Sequence, residues 1–250
     1  MPDKTQFAQA VELTTATYDQ VAGIYAERND QLTPGWVARM DRFVELLEEA
    51  ERARPLPELG RPGDDITLEE YLNFVPVLDA GCGPGRDARA LADHGLPVLG
   101  VDLSQGMLDA AGERTARRLP RGFVRYALMD LRRLELPDES CRGVWCSASL
   151  LHLPKRVAPR AAAELARVLQ PGGPLTLFVK RRERDVEEEL VPYPHGDVRS
   201  SRFFAYYAED EARRLVEEAG LEILEASVLP DNRGADAPSW VAIVARKPRG

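Results

Sequence analysis

The feature that most constrains this chain is an alternation of two patterns. Between residues 75 and 180, five short apolar runs recur: VPVLDA (75–80), PVLGVD (97–102), FVRYALMD (123–130), GVWCSA (143–148) and PLTLFVK (174–180). Helical patterns fill the gaps. RDARALADHG closes on Gly95, QGMLDAAGERTARRL follows Ser104 as its cap, and PRAAAELARVLQ is ended by PGG. Near-continuous apolar strands joined by helices predict a mostly parallel sheet covered on both faces. Such a sheet binds ligands beyond the carboxyl ends of its strands, where the strand order reverses. A further helix over 208–220, stopped by Gly220, precedes LEILEASVL and SWVAIVAR, which read as a hairpin pair.

Upstream, residues 5–30 read as a polar helix with Tyr18, Val21, Ala22 and Tyr25 at helical spacing. After Pro34 a second helix carries an apolar stripe of Trp36, Met40, Phe43, Leu46 and Leu47. RPLPELGRPGDD (54–65) reads as a surface loop. The expected organisation is therefore an N-terminal helical lid over 1–53, a loop or linker over 54–71, and a core over 72–250. KRRER followed by DVEEEL predicts a solvated charged helix after residue 180.

Composition narrows the class. The 250 residues carry 41 acidic and 33 basic side chains, a net charge of −8, which works against a broad nucleic-acid surface. Cys82, Cys141 and Cys146 form no CxxC pair, so no metal site is readable, and a sparse odd count suits a reducing cytoplasm. No apolar run reaches membrane-spanning length, and MPDKTQFAQA is not a signal peptide. The expectation is a cytoplasmic protein, monomer or homodimer, with no metal, no membrane partner and no nucleic acid.

The chemistry is concentrated in VLDAGCGPGRD (77–87). A dinucleotide site needs G-x-G-x-x-G after the first strand, and here the glycines run G-x-G-x-G. Asp79 stands just before the loop, where it repels a pyrophosphate and attracts a cation. S-adenosylmethionine is such a ligand: it carries a sulfonium and an ammonium and no phosphate. Gly81 and Gly83 then let the backbone pass against its amino-acid part. Asp102 ends the second strand, where a carboxylate accepts from ribose hydroxyls. Asp130 is expected to end the third strand and accept the adenine amine, with the backbone N–H of Leu131 facing a ring nitrogen. Leu103 and Met107 flank the purine as apolar walls. Ser147, at the end of the fourth strand, completes this expected set.

These residues resemble the class I S-adenosylmethionine-dependent methyltransferases, in particular the broad small-molecule group that includes ubiquinone/menaquinone-type enzymes. VLDAGCGPG is similar to their first motif, VLGVDLSQGML to the second-strand acid and helix, ALMDLRRLELPDESCRGVWCSASLLHL to the adenine-contact acid and fourth strand, and ELARVLQPGGPLTLFV to the fifth. The resemblance runs from about residue 18 to 247. It implies a Rossmann-like, doubly wound α/β fold with a seven-stranded, mostly parallel sheet whose last strand inserts antiparallel. It also implies that YDQVAGIYAERND covers the cofactor through Tyr18, Tyr25 and Arg28. Two departures stand out. Cys141-Arg142 replaces the usual Phe-Asp before the fourth strand, altering its entry, and Pro174 follows the PGG turn, which the first residue of a strand tolerates.

The methyl acceptor is less constrained. Methyl transfer is an in-line displacement that relies heavily on positioning. His152, in SLLHLP, is the candidate to take a proton from an acceptor hydroxyl, the alternative being a structural histidine holding its loop. His195, in PYPHGD, has weaker support. Arg202, Phe203, Phe204 and Tyr206 are candidates to line an acceptor pocket, or to pack inward. The absence of N/D-P-P-Y/F and Pro-Cys after the fourth strand argues against base methylation. The leading expectation is methyl transfer to a small molecule. The alternatives are a tRNA-modifying methyltransferase, or a non-catalytic cofactor-binding protein on the same fold.

Overall fold

The computed structural model describes residues 9–56, 66–193, 200–231 and 239–249. Its elements are helices α1 (Ala10–Arg28), α2 (Pro34–Ala53) and α3 (Leu68–Leu72), then β1 (Val77–Ala80), α4 (Arg86–Asp93), β2 (Pro97–Asp102), α5 (Gln105–Arg117), β3 (Phe123–Leu128), β4 (Gly143–Ser147), α6 (Ala158–Val168) and β5 (Pro174–Lys180). These are followed by β6 (Glu188–Pro192), β7 (Ser201–Ala205), α7 (Glu209–Glu218), β8 (Glu222–Leu229) and β9 (Trp240–Arg246). Seven strands form one sheet in the order β3-β2-β1-β4-β5-β9-β8. The first five are parallel, and β9 inserts antiparallel between β5 and β8. The order reverses at β1, so the crevice between the ends of β1 and β4 is the switch point.

Burial explains the strand sequences. Every residue of β1 and β5 is buried, as the near-continuous apolar runs require. One face of the sheet packs Leu78, Val144 and Leu177 in a core with Leu165 of α6 and Leu215 of α7. The other packs Val77, Val98, Trp145 and Phe178 against α4 and against Met40, Phe43 and Leu47 of α2. The second helix of the expected lid is thus a layer of the core, with its apolar stripe turned to the sheet. Of these two helices, among the described residues, it is α1 that lines the cavity beyond the strand ends. Asp19 of α1 accepts from the Ser104 hydroxyl at 2.6 Å and the Gly106 amide at 3.0 Å. A side chain at Gly106 would meet the Asp19 carbonyl at 2.9 Å, so glycine permits this approach.

Three expectations need correction. Residues 68–71, assigned to the linker, are helical: Thr67 and Glu70 form a capping box that starts α3, and the buried Tyr71 donates to the Val98 carbonyl at 2.7 Å. The charged stretch after residue 180 is not a helix: it runs irregularly to Glu187 and then enters β6, which pairs antiparallel with β7, Leu190 opposite Phe203. The third strand stops at Leu128, two residues before Asp130. Arg142, just before β4, reaches across to the turn that precedes β1. Its guanidinium donates to the carbonyls of Val75 at 2.6 Å and Phe74 at 2.8 Å, pinning the turn before β1, where Val75 holds a strained φ of 46°.

Candidate active site

Beyond the ends of β1, β2 and β4 opens a cavity of about 1060 Å³, counting its mouth. Tyr18, Tyr25, Asp79, Gly81, Gly83, Asp102, Leu103, Met107, Asp130, Leu131, Ser147 and His152 all line it, so the structure gathers the expected set with one exception. Arg28 lies outside, on a second cavity. His195 falls outside the described residues. Among the described residues no helix is long and apolar enough to cross a membrane, and no group of three or more His, Cys, Asp or Glu is disposed to hold a metal ion.

The loop after β1 is built for close contact. Gly81, Gly83 and Gly85 all have positive φ. A Cβ at Gly81 would sit 2.1 Å from the Cβ of Ser149, so that glycine serves packing. At Gly83 a Cβ would meet nothing within 4 Å, because this residue faces the open cavity. Its amide donates to Asp102 Oδ2 at 2.9 Å, and the Ser104 amide donates to Oδ1 at 2.9 Å. The second strand's acid therefore holds the loop in place while each oxygen keeps a lone pair for a ligand.

Asp79 is buried on the cavity floor, and its Oδ2 has no hydrogen-bond partner. Burial pushes its carboxyl well above the usual range, and the nearby Asp87 adds to this. An unsatisfied carboxylate oxygen at the bottom of a cavity is expensive unless a ligand supplies a donor. The ammonium of S-adenosylmethionine meets that requirement, so the residues present fit this cofactor. Asp87 is treated differently. Burial works to raise its carboxyl too, but Arg86 at 2.7 Å and the indoles of Trp145 at 2.9 Å and Trp36 at 3.2 Å outweigh it and hold the group below its usual range. Sequence reading passed over Arg86 and Asp87, although they follow the glycine loop directly.

At the far end, Asp130 lies in a turn rather than on a strand. Arg132 grips its carboxylate through Nε and a terminal nitrogen at 2.6–3.0 Å. Although partial burial opposes it, this pairing keeps Asp130 ionised below its usual range. Burial raises the Asp102 carboxyl, partly offset by its backbone donors.

His152 sits in a single 3₁₀ turn after β4. Nδ1 is 2.6 Å from the Phe203 carbonyl, which can only accept, so the proton is on Nδ1. Nε2 then accepts from the Tyr18 hydroxyl at 2.8 Å. Burial drives the imidazole down to about 3. Its one lone pair is occupied, so a proton from an acceptor hydroxyl reaches His152 only by way of Tyr18.

The second cavity, about 1770 Å³ with its open mouth, shares Tyr18, Tyr25, Asn29, Arg86, Ser147 and His152 with the first. Of the four candidates at 202–206, Arg202 and Phe204 line it. Phe203 is fully buried in the core and Tyr206 lies off the lining, bonded to Glu189 at 2.8 Å. Strand alternation in β7 sorts 202 and 204 to one side and 203 to the other.

Comparison with known proteins matches this geometry. The family described as a methyltransferase domain matches residues 77–173. The chain is 26% identical over 253 residues to the O-methyltransferase cnsE of Penicillium expansum, covering 93% of this chain and 83% of that one. It is 31% identical over 189 residues to the methyltransferase GfsG of Streptomyces halstedii, covering 72% and 66%. In fold it resembles the magnesium protoporphyrin IX methyltransferase of Synechocystis PCC 6803, solved with S-adenosylmethionine bound, with a TM-score of 0.58, 19% identity, and 94% and 97% of the two chains covered. With a methyltransferase-domain match that opens on the glycine loop and methyltransferase relatives along most of its length, the chain is a class I S-adenosylmethionine-dependent methyltransferase.

Proposed function

We propose that this enzyme transfers a methyl group to a small-molecule acceptor held in the second cavity, as a cytoplasmic protein of the broad small-molecule group that includes ubiquinone/menaquinone-type enzymes. The observation that carries the cofactor half of this reading is the unpartnered Asp79 Oδ2 on the floor of the first cavity. When bound, the sulfonium supplies an electrophilic methyl group. Asp79 would hold the ammonium, with Gly81 and Gly83 against the amino-acid part. Asp102 would accept from the ribose, and Asp130 and Leu131 would face the adenine between Leu103 and Met107. Tyr18, Tyr25 and Ser147 would enclose the methionine end. Arg28, on the second cavity, would serve the acceptor side.

Methyl transfer breaks the sulfur–methyl bond and forms a bond from methyl to the acceptor, leaving a neutral thioether and releasing the acceptor's proton. With a pKa near 3, His152 is a weak base. Its role in this reading is to fix the Tyr18 hydroxyl at the junction of the two cavities, through which a departing proton passes. Orientation and exclusion of water supply most of the rate.

The test is incubation of the protein with methyl-labelled S-adenosylmethionine and a cell extract divided into metabolites, RNA and protein. Label in metabolites is expected. Label in RNA would replace this reading with tRNA modification. Absence of transfer with intact cofactor binding would replace it with a binding protein on the same fold. NADH is expected not to bind detectably, because a pyrophosphate at the loop brings no donor to the buried Asp79 carboxyl and repels its ionised form.

A further inference from the structure

The second cavity has a charge unlike the rest of the molecule. The chain is acidic overall, at −8. Yet among the described residues lining this cavity there is no carboxylate, while Arg28, Arg39, Arg86, Lys180 and Arg202 all reach it. Two of these cations are answered from behind the wall: Arg86 by Asp87 at 2.7 Å, and Lys180 by the buried Asp231. Arg28, Arg39 and Arg202 make no ion pair among the described residues, and of these three Arg202 has a buried Nε without a hydrogen-bond partner.

What surrounds Arg202 is aromatic. Its guanidinium stands 4.9 Å from the Tyr193 ring centre, 5.2 Å from Phe204 and 5.8 Å from Tyr18. Ring faces orient a guanidinium and favour its charge, but the Nε–H is left without an acceptor. A planar fork with an open Nε donor pairs best with a carboxylate. Trp36 and Trp240 face the same space, their ring centres 6.1 Å apart, and supply an apolar wall for a flat or conjugated body.

We propose that the acceptor is an aromatic or conjugated carboxylic acid, its carboxylate held by Arg202 and its flat body against the aromatic wall. This deepens the methyltransferase reading and rests on it. The carboxylate is the handle. The methylated atom lies at the other end of the molecule, toward Tyr18 and Ser147, where the two cavities meet.

A matched pair of probes tests this: naphthalene-2-carboxylate and naphthalene-2-carboxamide, nearly alike in shape and differing in charge. Each is titrated calorimetrically into protein saturated with S-adenosylhomocysteine, and into protein without it. The acid is expected to bind about tenfold more tightly than the amide. That ratio should fall to about one in Arg202→Gln and return in Arg202→Lys, with S-adenosylhomocysteine affinity within about twofold of the original in both. Equal binding of acid and amide, binding of neither, or a preference that survives Arg202→Gln would overturn the proposal. So would a large loss of S-adenosylhomocysteine affinity in Arg202→Gln, since it would assign the arginine to the cofactor. Failure of the protein to bind S-adenosylhomocysteine at all would instead sink the cofactor reading, leaving the acid-to-amide ratio of the unliganded protein to report on Arg202 alone.

Discussion

The two cavities share a wall and have opposite characters. The first is floored by acids, Asp79 and Asp102, with Asp130 at its far end, and most of its lining comes from one stretch of chain, residues 79–131. The second presents arginines, a lysine and aromatic rings, and it is assembled from α1, α2, β7, β9 and the loops between them. In the proposed reading, a donor of constant structure is served by a local motif on buried strands. The proposed acceptor side draws on side chains that only tertiary packing brings together.

Mutations sharpen this contrast if each cavity can be damaged alone. The largest expected effect is Asp79→Asn, which removes the buried charge proposed to face the ammonium and should weaken S-adenosylhomocysteine binding by about 2–5 kcal/mol. Calorimetry should show naphthalene-2-carboxylate binding unchanged in the same variant. A parallel loss would mean that the two cavities act as one. Asp102→Ala comes next, with a loss of about 1–3 kcal/mol in S-adenosylhomocysteine affinity, and an unchanged affinity would remove the ribose role.

Asp79 also makes a pH prediction. Its raised carboxyl means that the folded protein without ligand holds a proton that the unfolded chain has already lost. Stability should therefore fall as pH rises from the ordinary aspartate range through the raised value, and be flat above it. Asp79→Asn should abolish that slope, and in urea titrations it should be more stable than the original near neutral pH by about 1–3 kcal/mol. The smallest effect is Trp36→Phe. Losing the 3.2 Å bond to Asp87 should cost about 0.5–1.5 kcal/mol in the same titrations, with acid binding in the second cavity shifting more than cofactor binding.

The donor half was legible because its information is local. The strand, the glycines and the acid at each strand end sit at fixed offsets, and burial of both sheet faces forces the apolar runs. Asp130 lines the first cavity even though β3 ends at Leu128, because the chain turns there just beyond the strand. Strand β6 was misread because its glutamates were taken as solvated. Glu188 instead accepts the Lys155 amide at 2.6 Å, and Glu189 pairs with Arg184 at 2.7 Å and takes the Tyr206 hydroxyl. Lys155 and Tyr206, distant in sequence, help hold those charges in an extended strand. The same limit applies to α2. Its stripe of Met40, Phe43 and Leu47 announces a helix with a buried face, but nothing local says whether that face covers a pocket or, as here, the sheet beneath Trp145 and Phe178.

All three tryptophans of the chain occupy one neighbourhood. Trp36 lies 6.5 Å from Trp145 and 6.1 Å from Trp240, with Trp145 buried against the core and the other two on the wall of the second cavity. Ultraviolet emission from this protein is therefore a local signal. Excitation energy passes readily among indoles this close, so a conjugated guest on that wall would quench the whole emission at once. The molecule carries its own optical titrant for the side of the reaction whose chemistry is least known, and none of its tryptophans lies elsewhere to dilute that signal.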